Sequence, residues 1–355
     1  MRTVYVVGTV PLADTEAVMR ALGASVGPAL RWVPDGETGE RLAWLPWLDR
    51  IFATHPSFEQ TEETYRRTPG ETSKTATQKR YRLKAGIAAQ ALDFHNLPHA
   101  QFAIDSYRVF SRLKAEGALP KACKLQVDFA GIVSVMRRFV VAEQQAAIGP
   151  RYEQGLAREI QRMLEVIPTA ELAIQWDVAS AVFQHLEENT PTIYGKDREA
   201  MLESFSDWHA RLGDLVPAGV DLLYHLCYGD QGHRHSVEPA TTAILVAFSN
   251  RLTAKIHRSI ELIHLPVPRN RFDDAYYEPL KELKLQPGTK LALGLVHLTD
   301  GIEGTRRRMG VADQFAKDYA IGTECGFGRR EPATIAPLLQ VHARSEEHTS
   351  ELQSH

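Results

Sequence analysis

The 355-residue chain has only three cysteines, Cys123, Cys227 and Cys325. Three are too few for the disulfide framework of a small secreted domain, and they fit reduced thiols in a cytoplasmic enzyme. No apolar run approaches the roughly 18 residues of a membrane span. The opening MRTVYVVGTVPL reads as a short strand entering a turn, without the apolar length or cleavage site of a signal peptide. An excess of one charge is also lacking: 41 Lys and Arg stand against 44 Asp and Glu, for a net charge of −3. No basic tract carries interleaved aromatics, so neither nucleic acid nor a membrane is an expected partner. The isolated glycines match neither GxGxxG nor a P-loop, which excludes the common phosphate-cradling loops. There is no internal repeat and no low-complexity linker, and one domain is expected.

What remains is an alternation of short apolar runs with helix-length amphipathic segments, the pattern of an α/β fold. The length suits a single (β/α)8 TIM-type barrel. Strands are expected at residues 4–8, 30–34, 102–105, 124–129, 172–177, 221–225, 260–265, 291–297 and 320–323. Helices are expected at 15–22, 131–146, 151–166, 198–212, 239–251 and 302–316. A barrel needs eight strands, so one of these nine, 102–105, is expected outside the closed sheet. Residues 54–82 are polar, weakly periodic and rich in Thr, Glu, Lys and Arg. They read as a long insert, either a solvated loop or a lid whose Lys74, Lys79, Arg80 and Arg82 face an anionic substrate. Residues 344–355, RSEEHTSELQSH, read as the in-frame translation of a sequencing adapter. The catalytic barrel is therefore taken as residues 1–343, with its last helix cut short. Setting that tail aside, with its one Arg and three Glu, moves the net charge from −3 to −1.

Chemistry-bearing residues cluster where apolar runs end. The carboxyl ends of barrel strands converge on one face, so residues distant in sequence meet there. His225 and Cys227 share one strand face by the period of two. Cys325 follows another strand and lies between Gly322 and Gly326. Two thiolates and an imidazole make a soft set suited to Zn²⁺ with a fourth position open. A buried structural His/Cys pair is the other reading of the same residues.

These strings resemble the catalytic barrel of the cobalamin-independent methionine synthase family. His225-Leu226-Cys227-Tyr228 resembles its His-x-Cys zinc motif, and Thr323-Glu324-Cys325-Gly326 resembles its later Asp-Cys-Gly. Val7-Gly8-Thr9-Val10-Pro11 resembles the Ile-Gly-Ser-x-Pro strand end that contacts the thiol substrate. Asp35-Gly36-Glu37 resembles His-Gly-Glu, and Ile174-Gln175-Trp176-Asp177 resembles Ile-Gln-x-Asp. The order is conserved with the family's and the matches run from Val7 to Gly328. The resemblance implies a substrate site with Gly8 and Thr9, and an ammonium site made by Glu37 and Asp177.

The family's third zinc ligand is a glutamate, and here His264 aligns with it, while Glu261 points to the opposite strand face. The resemblance thus implies a metal set of His225, Cys227, His264 and Cys325, with a core histidine as the alternative for His264. The family's acid histidine aligns with Thr299. His297, two residues earlier on the same face, is the candidate proton donor, oriented by Asp300, which alternatively caps the helix that follows. Gln231-Gly232-His233-Arg234-His235 lies on a loop near the mouth. Arg306-Arg307-Arg308 reads as a solvated helix face. Cys123, Trp44 and Trp47 read as packing residues.

The function implied is a zinc-dependent methyltransferase, of the methyltetrahydropteroyltriglutamate–homocysteine type, acting on a small-molecule thiol. The alkyl donor is a methyl-folate, a methyl-corrinoid protein or an epoxide. The alternatives are epoxide opening of the epoxyalkane:coenzyme M transferase kind, with Arg269 and Arg271 available to a sulfonate, a metal-free enzyme like uroporphyrinogen decarboxylase, and a non-catalytic zinc-stabilised binding protein.

Overall fold

A computed structural model describes residues 2–66, 77–95, 97–230 and 235–352. Among the described residues, one parallel sheet holds seven strands in the order β1-β4-β5-β6-β7-β8-β9. They are β1 (Trp32–Pro34), β4 (Lys124–Ala130), β5 (Leu172–Val178), β6 (Asp221–Leu226), β7 (Leu262–Pro266), β8 (Lys290–Val296) and β9 (Ala320–Thr323). Helices separate most consecutive strands and cover the outer face, so β5 and β6 are buried along their whole length. That is why their sequences read as continuous apolar runs broken only where chemistry is placed.

The expected first strand pairs at a single residue. Val4 makes isolated parallel bridges to Leu30 and to Ile321, beside the two edge strands of the sheet. Three backbone bonds hold it there: Val4 N to Ala29 O at 3.0 Å, Tyr5 N to Ile321 O at 2.8 Å and Ile321 N to Thr3 O at 3.0 Å. The sheet is thus curled so far that one segment touches both edges, although that segment lacks a continuous ladder.

Inside the curl lies a small apolar cluster separate from the main core. It contains Tyr5, Val7, Trp32, Ala173, Leu223, Leu262, Ala292 and Ala320. The strand period of two puts Gln175 and Asp177 on the same face as Ala173, His225 on the same face as Leu223, and His264 on the same face as Leu262. The apolar cluster is the floor, and the polar residues stand above it toward the strand ends.

Two expectations need correction. Residues 102–105 lie within the helix His99–Ala115, whose buried positions His99, Ala100, Ala103, Ser106, Phe110 and Leu113 follow the helical period. A four-residue apolar run cannot by itself distinguish the two periods. The insert is not structureless either: β2 (Phe58–Arg66) and β3 (Thr77–Leu83) form an antiparallel hairpin. Lys79 pairs with Glu62 at 3.0 Å, Arg82 with Glu59 at 2.7 Å, and Arg80 with Glu63. These cations therefore answer the facing strand's glutamates and not a substrate, and exposed pairs of this kind contribute about 0–1 kcal/mol each. Lys74 lies outside the described residues. The final helix spans Ile335–Leu352.

Aromatic packing ties the hairpin to the body. Phe52 is wholly buried and its ring lies 5.5 Å from Phe58, 6.0 Å from Tyr81 and 5.1 Å from Phe139. Phe52→Ala is expected to lower unfolding free energy by about 3–5 kcal/mol, measured by chemical denaturation. Amide exchange should rise first in β2 and β3; a loss below about 1 kcal/mol would mean that the hairpin is held by other contacts.

Candidate active site

The site begins with strand register. Asp177 on β5 pairs with His225 on β6, and His225 pairs with His264 on β7. The three stand in one row across neighbouring strands. Cys227 follows β6 directly, and Cys325 follows β9 after Glu324.

The ligand atoms of His225, Cys227 and Cys325 all lie within 4.8 Å of one another. The two sulfurs are 3.5 Å apart, and the Gly229 backbone N–H donates to the Cys227 sulfur at 3.1 Å. Hydrogen bonding to Cys325 and burial push the Cys227 thiol well above its usual range. Burial, together with His264, holds His225 well below its usual range, so its imidazole is neutral. The His225 Nε2 is buried and has no hydrogen-bond partner. A histidine with an orphaned ring nitrogen, grouped with two crowded thiols, is a donor set that fits a soft divalent metal.

His264 is not in that group. Its Nδ1 lies 2.8 Å from the Nδ1 of His225, with ring centroids 4.9 Å apart. Glu261 is far from the cluster in role: at the start of β7 its carboxylate accepts from the Leu222 N–H at 2.6 Å.

The cluster opens into a cleft of about 620 Å³, partly open to solvent and lined by Gly8, Thr9, Glu37, Trp44, Asp177 and Arg329 among others. All four residues expected at the substrate site therefore line the same cleft as His225, Cys227 and Cys325. Thr9 also staples the Cys325 loop, since its hydroxyl accepts from the Gly328 N–H at 3.2 Å and its carbonyl from the Phe327 N–H at 2.7 Å.

Glu37 reaches the cleft from a tight turn. Gly36 and Glu37 have φ of 83° and 44°, and the Asp35 carboxylate accepts the Glu37 N–H at 2.8 Å while pairing with Arg41 at 2.9 Å. Left-handed backbone suits Gly36, and a side chain there would collide with Val18. Asp177 accepts from the Gln175 side chain and from the Trp44 indole, each at 2.8 Å.

Sequence reasoning passed over three contributors. Trp44, read as packing, bonds Asp177. Gln175 also donates to the Val7 carbonyl at 2.8 Å, tying β5 to the N-terminal segment. Asp128 has a buried Oδ2 with no partner, and a side chain at Gly8 would meet that oxygen at 2.5 Å. Asp128 shares a strand face with Gln126, as Asp177 does with Gln175. That Gln-x-Asp repeat in two apolar strands was the available signal.

His297 stands in an adjoining cavity with His235, Arg269, Thr299, Glu324 and Arg330. Its Nε2 lies 2.9 Å from the Val267 carbonyl and its Nδ1 3.6 Å from Glu324. Asp300 does not orient it: both Asp300 oxygens go to Arg308, at 2.6 and 2.8 Å. Asp300 makes no side-chain cap either. Arg308 is fully buried, so the Arg306–Arg308 run is not a uniformly solvated face. Glu324, which also lies 2.9 Å from His235, is the carboxylate beside His297. Burial raises Glu324, yet the histidines and Arg330 outweigh it and bring its pKa down to about 2. Of the loop histidines, His235 joins this cavity and His233 lies outside the described residues, as does Arg234. Cys123 is a core residue whose thiol burial pushes up to about 11.

Comparison with solved structures finds a similar fold in a Listeria monocytogenes protein provisionally assigned as a vitamin-B12-independent methionine synthase. The two share 13% sequence identity with a TM-score of 0.57, over 98% of this chain and 99% of that one. At that identity the likeness is one of fold, which bears out the resemblance at that level. No family model and no curated protein matches the chain.

Burial, against the Gln175 and Trp44 bonds, raises the Asp177 pKa to about 7. An unfolded aspartate titrates near about 3.9. Between those values the folded chain keeps a proton that the unfolded chain has lost, so ligand-free stability falls as pH rises from about 4 to about 7. Asp177→Asn removes this contribution. The variant-minus-wild-type difference in unfolding free energy is expected to climb across that window and level off above it. A flat difference would place the Asp177 charge in water.

Proposed function

We propose that the chain is a zinc-dependent thiol alkyltransferase, most simply transferring a methyl group to the sulfur of homocysteine or a similar amino thiol. The observation that carries this reading is that His225, Cys227 and Cys325 converge in the same cleft as Glu37 and Asp177. A soft three-donor set beside buried carboxylates suits one ligand that carries a sulfur at one end and an ammonium at the other. In this reading the sheet is a (β/α)8 barrel, with residues 4–8 as its eighth member, and the protein is cytoplasmic.

Zinc held by these three side chains would act as a Lewis acid that keeps a substrate thiol ionised near neutral pH. The rest falls to the chain's own residues. Glu37 and Asp177 receive the ammonium by charge-assisted hydrogen bonds. Trp44 and Gln175 hold the Asp177 carboxylate in place for that contact. Fixing both ends aims the sulfur at the donor carbon. Proton delivery to the departing group falls to His297 from the adjoining cavity, with Glu324 in the orienting position expected of Asp300. The donor, whether methyl-folate, methyl-corrinoid protein or epoxide, approaches from that side. Among the described residues, no helix is long and apolar enough to cross a membrane.

Metal content is the first test. Purified protein refolded with zinc is expected to hold one equivalent per chain by elemental analysis. Cys227→Ser and Cys325→Ser should each lose the metal, and Cys123→Ser should keep it. Less than about a tenth of an equivalent in the wild type would sink the zinc reading, since convergent thiolate sites bind tightly, and would favour a metal-free decarboxylase.

Substrate selectivity is the second test. Arg329 at the cleft wall favours one rival, epoxide opening by a sulfonated thiol. Asp177→Asn should weaken homocysteine binding by about 1.5–3 kcal/mol, the worth of a hydrogen bond to a charged group, in calorimetric titration. A sulfonated thiol should be little affected. The reverse pattern would replace methyl transfer to an amino thiol with epoxide opening.

A further inference from the structure

We propose that His264 serves as a positioning residue and not as a metal ligand: its Nδ1 accepts a hydrogen bond from the His225 Nδ1–H and so turns the His225 Nε2 toward the two cysteines. The inference rests on the zinc reading above and assigns the outer partner of its histidine.

The argument is a count of protons. The two Nδ1 atoms are 2.8 Å apart, a hydrogen-bond distance. Two bare lone pairs at that separation would repel, and two N–H groups would collide, so one proton lies between them. If His225 is to offer a lone pair at Nε2 while neutral, its single proton must be on Nδ1. His264 is then the acceptor, and its own proton is on Nε2.

The His225 side agrees with this. Its Nε2 is the buried atom without a partner, and one of its ring nitrogens lies within 4.8 Å of both the Cys227 and the Cys325 sulfur; with Nδ1 facing His264, the lone pair left for a metal is the one on Nε2. On the His264 side, Nδ1 faces His225, which leaves Nε2 as the atom that carries the ring's proton. Both rings are clamped. They are paired neighbours on β6 and β7, and Tyr5 packs against the other side of His264 at 5.1 Å.

Metal-bound histidines commonly give their second N–H to a carboxylate or a carbonyl, and losing that partner costs about 10–100-fold in metal affinity. Here a neutral imidazole takes that place. It accepts less charge than a carboxylate would, so His225 is left less basic and the metal a stronger Lewis acid.

Histidine-¹⁵N-labelled protein substituted with ¹¹³Cd tests the assignment directly. The expected spectrum has metal–nitrogen coupling at the His225 Nε2, no coupling at His264, and His264 as the Nε2–H tautomer. Coupling at His264 would overturn the proposal and leave the zinc reading standing. Failure to bind either metal would overturn both.

Two substitutions give a second readout by competition with a chelator. His264→Phe keeps the ring packing but removes the acceptor, and should lose about 10–100-fold in zinc affinity. His264→Asn places an amide oxygen where Nδ1 stood and should recover most of that loss. Wild-type affinity in His264→Phe would refute the positioning role. If that variant does not fold, the spectrum and His264→Asn decide: loss of metal in His264→Asn as complete as in Cys227→Ser would make His264 a direct ligand.

Discussion

The in-register parallel pairing of β5, β6 and β7 is the constraint on which the cleft depends. Neighbouring strands lie about 4.8 Å apart, so Asp177, His225 and His264 form one row with side chains on one face. A slip of one residue would turn His225 into the helical layer and expose Leu226 to the interior. The floor beneath the row sets the small side chains Ala173, Ala292 and Ala320 beside the large Tyr5 and Trp32. Gln126, Gln175, His225 and His264 are buried as well. Gln126 and Gln175 then spend their amides on the Val7 carbonyl and on Asp128 and Asp177. The N-terminal segment, held by three ladder-like backbone bonds, is fastened to the sheet by these side chains as well.

The two halves of the site treat charge in opposite ways. Around Glu324 the carboxylate is matched by His235 and His297, and its ionised form wins over burial. On the cleft side Arg41 is committed to Asp35. Glu37, Asp128 and Asp177 are left desolvated and near one another, and all three are pushed upward, by burial first and, for Glu37 and Asp128, by their neighbours as well. Buried acids without a cationic partner are costly to ionise, so the half around Glu324 holds its charge and the cleft half holds its protons.

Much of this was legible in the sequence. Six of the nine expected strands coincide closely with sheet strands because these strands are largely buried and their apolar runs are broken by few polar residues. The meeting of His225, Cys227 and Cys325 with the cleft acids was legible because strand ends converge, whatever lies between them in sequence. What was not legible depends on which partner a side chain chooses. The hairpin in the insert was hidden because its strands are held by cross-strand charge and a few aromatics, which alternation of apolarity does not register. Arg308 read as a surface residue because the adjacent Arg306 and Arg307 are exposed; its burial is decided by Asp300, eight residues earlier, and by the Leu295 and Arg269 carbonyls. His264 was legible as a site residue, but its contact with the His225 Nδ1 is a matter of rotamer.

The acids and the soft cluster are electrically one system. Beyond burial and the nearer carboxylates, a Cys325 thiolate pushes Glu37 further up, and Asp177 does the same to Cys227. Without ligands such a group holds its protons: the Cys227 thiol and the cleft carboxyls are pushed up, and the His225 and His264 imidazoles are pushed down. In the proposed function, a divalent cation held by the His225 imidazole and two thiolates would carry no net charge, so the field at Glu37 and Asp177 would change little until a substrate thiolate added a negative charge. An ammonium seated at those carboxyls would offset that charge and ionise them with release of protons. By linkage the thiolate and the ammonium would then help each other by the same factor. A thiol without an amine would leave its sulfur beside carboxyls with no cation, and an amine without a thiol would leave the soft donors unshared.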